Sequence, residues 1–139
     1  MARDPLNALL RLRRLAQEDA LRDLAVCMAA DAAANAAVAR IDAAIVAEEK
    51  AASRLDAEDI AVEAFGRWLR RVREERDAAS TARDRAEAGT IRARAVLGAA
   101  RAALAAVEAE LARRAEETRL AVLRREQAAI DEHAGRRPG

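Results

Sequence analysis

Residues 90–111, TIRARAVLGAARAALAAVEAEL, decide the fold of this chain. Apolar side chains return here after three and then four residues, which is the period of a coiled-coil helix. The same period extends back to Phe65, and 11 of its 14 positions are apolar, the exceptions being Arg76, Arg83 and Thr90. These positions, the second seam, are 65, 69, 72, 76, 79, 83, 86, 90, 93, 97, 100, 104, 107 and 111. The pattern predicts a long helix that packs lengthwise on another helix.

A second stripe of apolar positions with the same period, which we name the first seam, precedes the second seam in the sequence. Asp4 is placed to cap a helix whose first residue is Pro5. Eleven of the 15 seam positions are apolar, the exceptions being Arg13, Gln17, Asp31 and Glu48. The positions are 6, 10, 13, 17, 20, 24, 27, 31, 34, 38, 41, 45, 48, 52 and 55.

A break between the two seams is predicted at residues 53–59. The segment has neither glycine nor proline, but Asp56 can cap a new helix. We therefore expect a single all-α domain, 1–139: a long antiparallel two-helix coiled coil, or helical hairpin, with a helix at about 5–54, a turn at about 55–59 and a helix at about 60–134. The alternative is one unbroken helix that dimerises. At 1.5 Å per residue the helices would be about 75 and 115 Å long, so the second would extend past the start of the first.

Composition supports this class and narrows the function. Apolar residues make up 53% of the chain, but most are alanine and only 1% of residues are aromatic, so a thick globular core is not expected. The formal net charge of +1 lacks the basic excess typical of nucleic-acid binding, and we expect no nucleic-acid partner. No run of 18 uninterrupted apolar residues is present, so no membrane span is expected. The single cysteine, Cys27, fits a reducing compartment.

No arrangement of residues points to catalysis. Cys27 and His133 are the only cysteine and histidine, and they are far apart along the chain. A nucleophile and its base must lie within hydrogen-bond reach, and one His with one Cys does not complete a tetrahedral metal site. We therefore predict a non-enzyme with no catalytic residues, metal, cofactor or small-molecule substrate.

Two groups of side chains are candidates for binding other proteins. The aromatic group has two interpretations: it fills the end of the coiled coil, or it anchors a partner, since tryptophan is enriched at interface hot spots. The arginine group is explained either by solvated helix faces or by electrostatic docking. Arg13 lies on the first seam, where a charge is poorly suited to burial. The aromatic group is Phe65, Trp68, Leu69 and Val72, and the arginine group is Arg11, Arg13, Arg14, Arg124 and Arg125.

Three segments carry a resemblance to a known family. They are PLNALLRLRRL at 5–15 followed by Glu18-Asp19, Arg67-Trp68-Leu69 after the predicted turn, and RREQAAIDE at 124–132. Taken together they resemble the flagellar export protein FliJ family and its type III secretion counterparts of the YscO class. The resemblance covers essentially the whole chain, and its most specific part is the 124–132 segment.

The resemblance implies a cytoplasmic stalk or adaptor, peripheral at the inner face of the cell membrane through its partners only. The implied partners are the hexameric flagellar export ATPase, the cytoplasmic domain of the export gate, and export chaperones. The arginine-rich terminal end would meet the ATPase ring, and the region of Phe65 and Trp68 would be nearer the gate. The first helix lacks the aromatics that relatives can carry, so no gate-contacting residues are transferred.

Two other hypotheses remain open. A generic coiled-coil scaffold or secretion chaperone would have no ATPase role. Alternatively, residues 9–15 could bind a membrane surface directly as a basic amphipathic helix.

Overall fold

The computed structural model describes residues 4–54 and 59–136, with the side chain of Asp59 left aside. Helix α1 runs over Pro5–Arg54 (50 residues) and helix α2 over Asp59–Gly135 (77 residues), with no strand in the described residues. The two helices pack against each other. The predicted all-α hairpin is therefore confirmed over the single unbroken helix. Residues 55–58, including the Asp56 proposed as a cap, lie outside the described part of the chain.

The outer ends of both helices are closed by local hydrogen bonds. The Leu6 amide donates to Oδ1 of Asp4 at 3.0 Å, which satisfies one of the amides that the first turn of a helix leaves unpaired. Asp4 is thus the cap that the sequence predicts. At the end of α2, the Arg136 amide donates to the carbonyl oxygens of Glu132 and His133 at 3.2 and 3.3 Å.

The seams predicted from the 3.5-residue period are the packed faces of the helices. All 14 positions of the second seam are buried or half-buried. On the first seam Arg13 and Glu48 are exposed, because a lone charge gains more from water than from an apolar contact; position 55 is outside the described residues. The buried apolar side chains are Ala20, Val38, Val72, Leu97 and Val107.

The chain divides into two compact units, each containing a segment of both helices. Unit 1 is Met1–Glu18 with Gly98–Gly139, and unit 2 is Asp19–Leu97. In unit 2, two polar contacts join the helices within the seam. Arg76 donates through Nε and Nη2 to the Asp42 carboxylate, with Nη2 to Oδ2 at 3.3 Å.

The second polar contact is made by Thr90, whose side chain is buried. Its hydroxyl donates to the carbonyl oxygens of Cys27, across the seam, and Ala86, on its own helix, each at 3.2 Å. Because a side chain in a coiled-coil seam meets a specific partner only in one register, this contact and the Arg76–Asp42 pair fix the alignment of the helices in unit 2.

In unit 1, α2 continues well past the first residue of α1. Nη1 of Arg114 lies 3.8 Å from Oδ1 of Asp4, which places the start of α1 beside Arg114. From 112 to 136, every residue except Ala121 is exposed. We name residues 115–135 the C-terminal extension; at 1.5 Å per residue it is about 30 Å long. After a slip of one residue, the apolar spacing of the second seam continues through Thr118, Val122 and Ala129, but these residues are exposed, because α1 does not reach them.

Candidate functional site

The aromatic group lies in unit 2, just after the start of α2. The rings of Phe65 and Trp68 are stacked, with centroids 5.9 Å apart and planes inclined by 26°. Both side chains are half-buried and line an open apolar cleft of about 380 Å³. The end of α1 contributes Ala51 and Ala52 to the same cleft. The rings thus share this cleft with the end of α1 and still reach solvent.

The other two members of the aromatic group are less accessible. Val72 is buried and belongs to the seam, and Leu69 is half-buried on the same seam. A partner that approached this surface would meet Phe65 and Trp68 before it could reach Val72. The binding role of all four residues stays a prediction.

The arginine group lies entirely in unit 1, but in two places. Arg11, Arg13 and Arg14 are exposed on α1, and Arg124 and Arg125 are exposed on the C-terminal extension. The contact between Asp4 and Arg114 places the start of α1 beside the start of the extension. From this point α1 and the extension run in opposite directions, and this sets the spacing between the two arginine clusters. At 1.5 Å per residue the two clusters are about 25 Å apart along the helix axis. They do not form one patch.

An ion-pair network that sequence reasoning largely missed lies where the extension begins. Arg113 contacts Glu110 at 2.6 Å and is also paired with Glu117, while Arg114 contacts Glu110 at 3.2 Å. Hydrogen bonds from Arg113, then from Arg114, lower the pKa of the Glu110 carboxyl to about 2. The signal was available as Glu and Arg three and four residues apart on a helix.

Large apolar side chains are exposed on the extension, and these too were missed. Leu123 is 47% exposed and Ile130 62% exposed, and Leu120 is exposed as well. The positions 120, 123, 127, 130 and 134 repeat the three-then-four spacing of a seam. A search that only continues the second seam does not find them, because they lie on the opposite side of the helix.

The only cysteine and the only histidine, which were considered as catalytic or metal-binding residues, lie in different parts of the structure. Cys27 is half-buried on the first seam in unit 2, and His133 is exposed in the last turn of α2. Over 4–54 and 59–136, no three His, Cys, Asp or Glu side chains are grouped so that they could hold a metal ion.

Helix α1 is unusually apolar for a surface helix. It contains an 18-residue window that is long and apolar enough to cross a membrane by length and composition, and 6% of that window is buried. Our criterion of an uninterrupted apolar run did not identify this window, because single charges interrupt it. The same test is passed by core helices and by signal sequences, so it is weak evidence for a span.

Comparison with known proteins gives no relative: no family model, curated protein or solved structure matches this chain.

Proposed function

We propose that this chain is a non-enzymatic stalk or adaptor of a flagellar type III protein export apparatus. Its terminal end would dock in the ring of the export ATPase, and the protein would link that ring to the export gate and to export chaperones. The resemblance of segments 5–15, 67–69 and 124–132 to the FliJ family suggests the system. Localisation in the cytoplasm, peripheral to the membrane through these partners, is part of the proposal.

The observation that supports the proposal best is the C-terminal extension. A single helix is about 10–12 Å wide with its side chains, which is narrow enough to enter the central opening of a protein ring. The extension carries exposed arginines, Arg124 and Arg125, and exposed apolar side chains such as Leu123 and Ile130. Arginine is enriched at protein interfaces and their hot spots, and exposed apolar side chains supply area that a partner can bury.

The mechanism would be allosteric rather than chemical. A coiled coil has no rotational symmetry that matches a hexameric ring, so it contacts the six subunits differently. A ligand shifts an equilibrium only by its differential affinity for the two states, and unequal contacts supply such differences between subunits. We therefore expect the chain to change ATPase assembly or turnover without any catalytic residue of its own.

The test is binding to, and stimulation of, the cognate export ATPase. The variant Arg124→Glu/Arg125→Glu should weaken binding by about tenfold, because each exposed charge pair contributes up to about 1 kcal/mol. The matched control is Arg70→Glu/Arg71→Glu, which makes the same charge change on exposed positions of unit 2. No binding and no gain in ATPase hexamer or activity with the unaltered chain would reject the stalk function.

A coiled-coil scaffold or secretion chaperone without an ATPase role is the second candidate. It is favoured by the exposed apolar side chains along α1, including Leu12, Leu15 and Val26, which could contact unfolded or helical clients. Under this function the chain would bind an export substrate or another coiled coil and leave ATPase turnover unchanged. The genes that neighbour its own offer an independent check, since an export ATPase gene beside it would favour the stalk.

A further inference from the structure

The apolar face of the C-terminal extension is a surface that no described part of the chain covers. It consists of Leu120, Leu123, Ile130 and Ala134, with Gln127 at its centre. A helix of about 20 residues gains most of its stability in proteins from packing an amphipathic face. Here that face is in solvent, and the first three of these side chains are large and exposed.

The charges that flank this face indicate what would cover it. Glu117, Arg124 and Asp131 lie on one flank, seven residues apart; Arg119, Glu126 and His133 lie on the other flank at the same spacing. In a parallel pair of helices, opposite flanks meet, so Arg119 would face Arg124 and Glu126 would face Asp131. Both contacts join like charges and oppose parallel pairing.

In an antiparallel pair, each flank meets the same flank of the second helix. One register then places Arg124 opposite Asp131 of the second helix, and Glu126 opposite His133, and the two-fold axis repeats both contacts. The neighbouring antiparallel register would instead place Arg124 opposite its own copy and Glu126 opposite its own copy.

A third antiparallel register would place Arg124 opposite Glu117 and Arg119 opposite Glu126. Glu117 is already paired with Arg113, however, and Arg119 with Glu116. The charge pattern and these existing ion pairs therefore favour the antiparallel orientation and the first of these registers for two identical helices.

We propose that the C-terminal extension pairs in antiparallel orientation with the extension of a second copy of this chain. In the selected register, Leu123 enters the shallow hollow formed by Ile130, His133 and Ala134 of the second copy. Gln127 packs beside Ile130 of that copy, and its amide also donates to Asp131 of its own helix at 3.0 Å. In this register the two helices overlap over residues 122–135, a length of about 20 Å. The contact is small beside a standard interface of about 800 Å² per partner, so the dimer is weak, with a dissociation constant expected in the upper micromolar range.

The inference concerns the chain alone and does not depend on the proposed function. If both hold, self-pairing covers the segment that enters the ATPase ring, so the monomer is the form that docks. If either hypothesis fails, the other is unaffected, because self-pairing is measured without any partner.

The experiment is sedimentation velocity on the purified full chain from about 1 to 200 µM at low salt, to follow a concentration-dependent dimer. Arg124→Glu places two like-charge contacts in the dimer and should raise the dissociation constant at least about fivefold. Asp131→Arg should do the same, and the double variant Arg124→Glu/Asp131→Arg should return the constant to within about twofold of the unaltered chain. The control is Arg125→Glu, an equal charge change on the opposite side of the same helix, with no effect expected.

Three results would overturn the proposal. The first is a monomer throughout the concentration range. The second is an equal effect of Arg124→Glu and Arg125→Glu, or a double variant that does not recover, since pairing would then not join Arg124 to Asp131. The third is tighter dimerisation by Arg124→Glu alone, which parallel pairing predicts through relief of the contact with Arg119.

Discussion

At the scale of single residues, the packing of unit 2 is carried by a few side chains of modest size. Leu97 is 5% exposed, whereas the adjacent Val96 is 58% exposed on the outer face of the same helix. Thr90, 3% exposed, is the buried polar member of the seam. The core of this unit therefore depends on one stripe of α2, and the residues beside that stripe contribute little.

Truncation of Leu97 should test this contrast directly. We expect Leu97→Ala to lower the free energy of unfolding by about 2–4 kcal/mol, because it removes buried methyl groups and leaves space that a two-helix core cannot easily close. The control Val96→Ala should change it by less than about 0.5 kcal/mol. Urea unfolding followed by circular dichroism at 222 nm measures both; equal losses would mean that the seam is assigned to the wrong face.

Asp42 should make stability depend on pH. Hydrogen bonds from Arg76 hold the pKa of the Asp42 carboxyl below its usual value of 3.8. A lowered folded-state pKa stabilises the fold above the unfolded pKa, and that contribution is lost as pH falls through the folded value. Asp42→Asn should therefore lower the melting temperature at pH 7, by a small amount since both side chains are partly exposed.

The difference in melting temperature between Asp42→Asn and the unaltered chain should shrink as pH falls below 3.8. It should also shrink with added salt, because exposed ion pairs are screened. A suitable control is Asp84→Asn, at a carboxylate that contacts Arg83 on its own helix. A constant difference at every pH would show that Asp42 stabilises the fold by packing rather than by charge.

At the scale of the helices, periodicity predicted most of what the structure contains. The three-then-four spacing identified the packed face of α2 over 65–111, and Asp4-Pro5 identified the start of α1. Periodicity does not set the register, because that depends on contacts between residues distant in sequence, such as Asp42 with Arg76. Nor does it exclude a charged residue from a seam: Arg13 fits the spacing and is exposed.

The C-terminal extension should be the least protected part of α2. With no helix beside it, its backbone hydrogen bonds open locally, whereas residues 97–111 open only when packed contacts are lost. Hydrogen exchange at low protein concentration should therefore be faster over 119–132 than over 97–111. If extensions pair, exchange over 119–132 should slow as concentration rises; exchange as slow as that of 97–111 in a dilute sample would contradict this assignment.

At the scale of the whole molecule, the sequence predicted the candidate binding surfaces only in part. It identified exposed arginines and the aromatic pair, but it treated the arginines of both termini as one end. Their separation follows from the unequal lengths of α1 and α2, which place Arg124 well past Asp4. The apolar face of the extension was missed because a stripe without a partner has no facing seam to match it.

Trp68 is the only tryptophan, so the fluorescence of the intact protein reports on the aromatic cleft alone. If the cleft binds a partner, such as the cytoplasmic domain of the export gate, the emission should shift to shorter wavelength as the half-exposed ring loses water. Phe65→Ala should weaken that binding, while Arg125→Glu should not. An unchanged spectrum on saturating binding would mean that the aromatic pair only fills the end of the helix pair.

Across the described residues, no large side chain is completely buried. Unfolding consequently exposes little new apolar surface, and the heat-capacity change that accompanies it should fall below the value of about 12–15 cal/mol/K per residue typical of globular domains. Calorimetry should then record a broad transition and a stability curve with a shallow maximum. Such a protein would lose little stability on cooling, and its unfolding on warming would extend over a wide range of temperature.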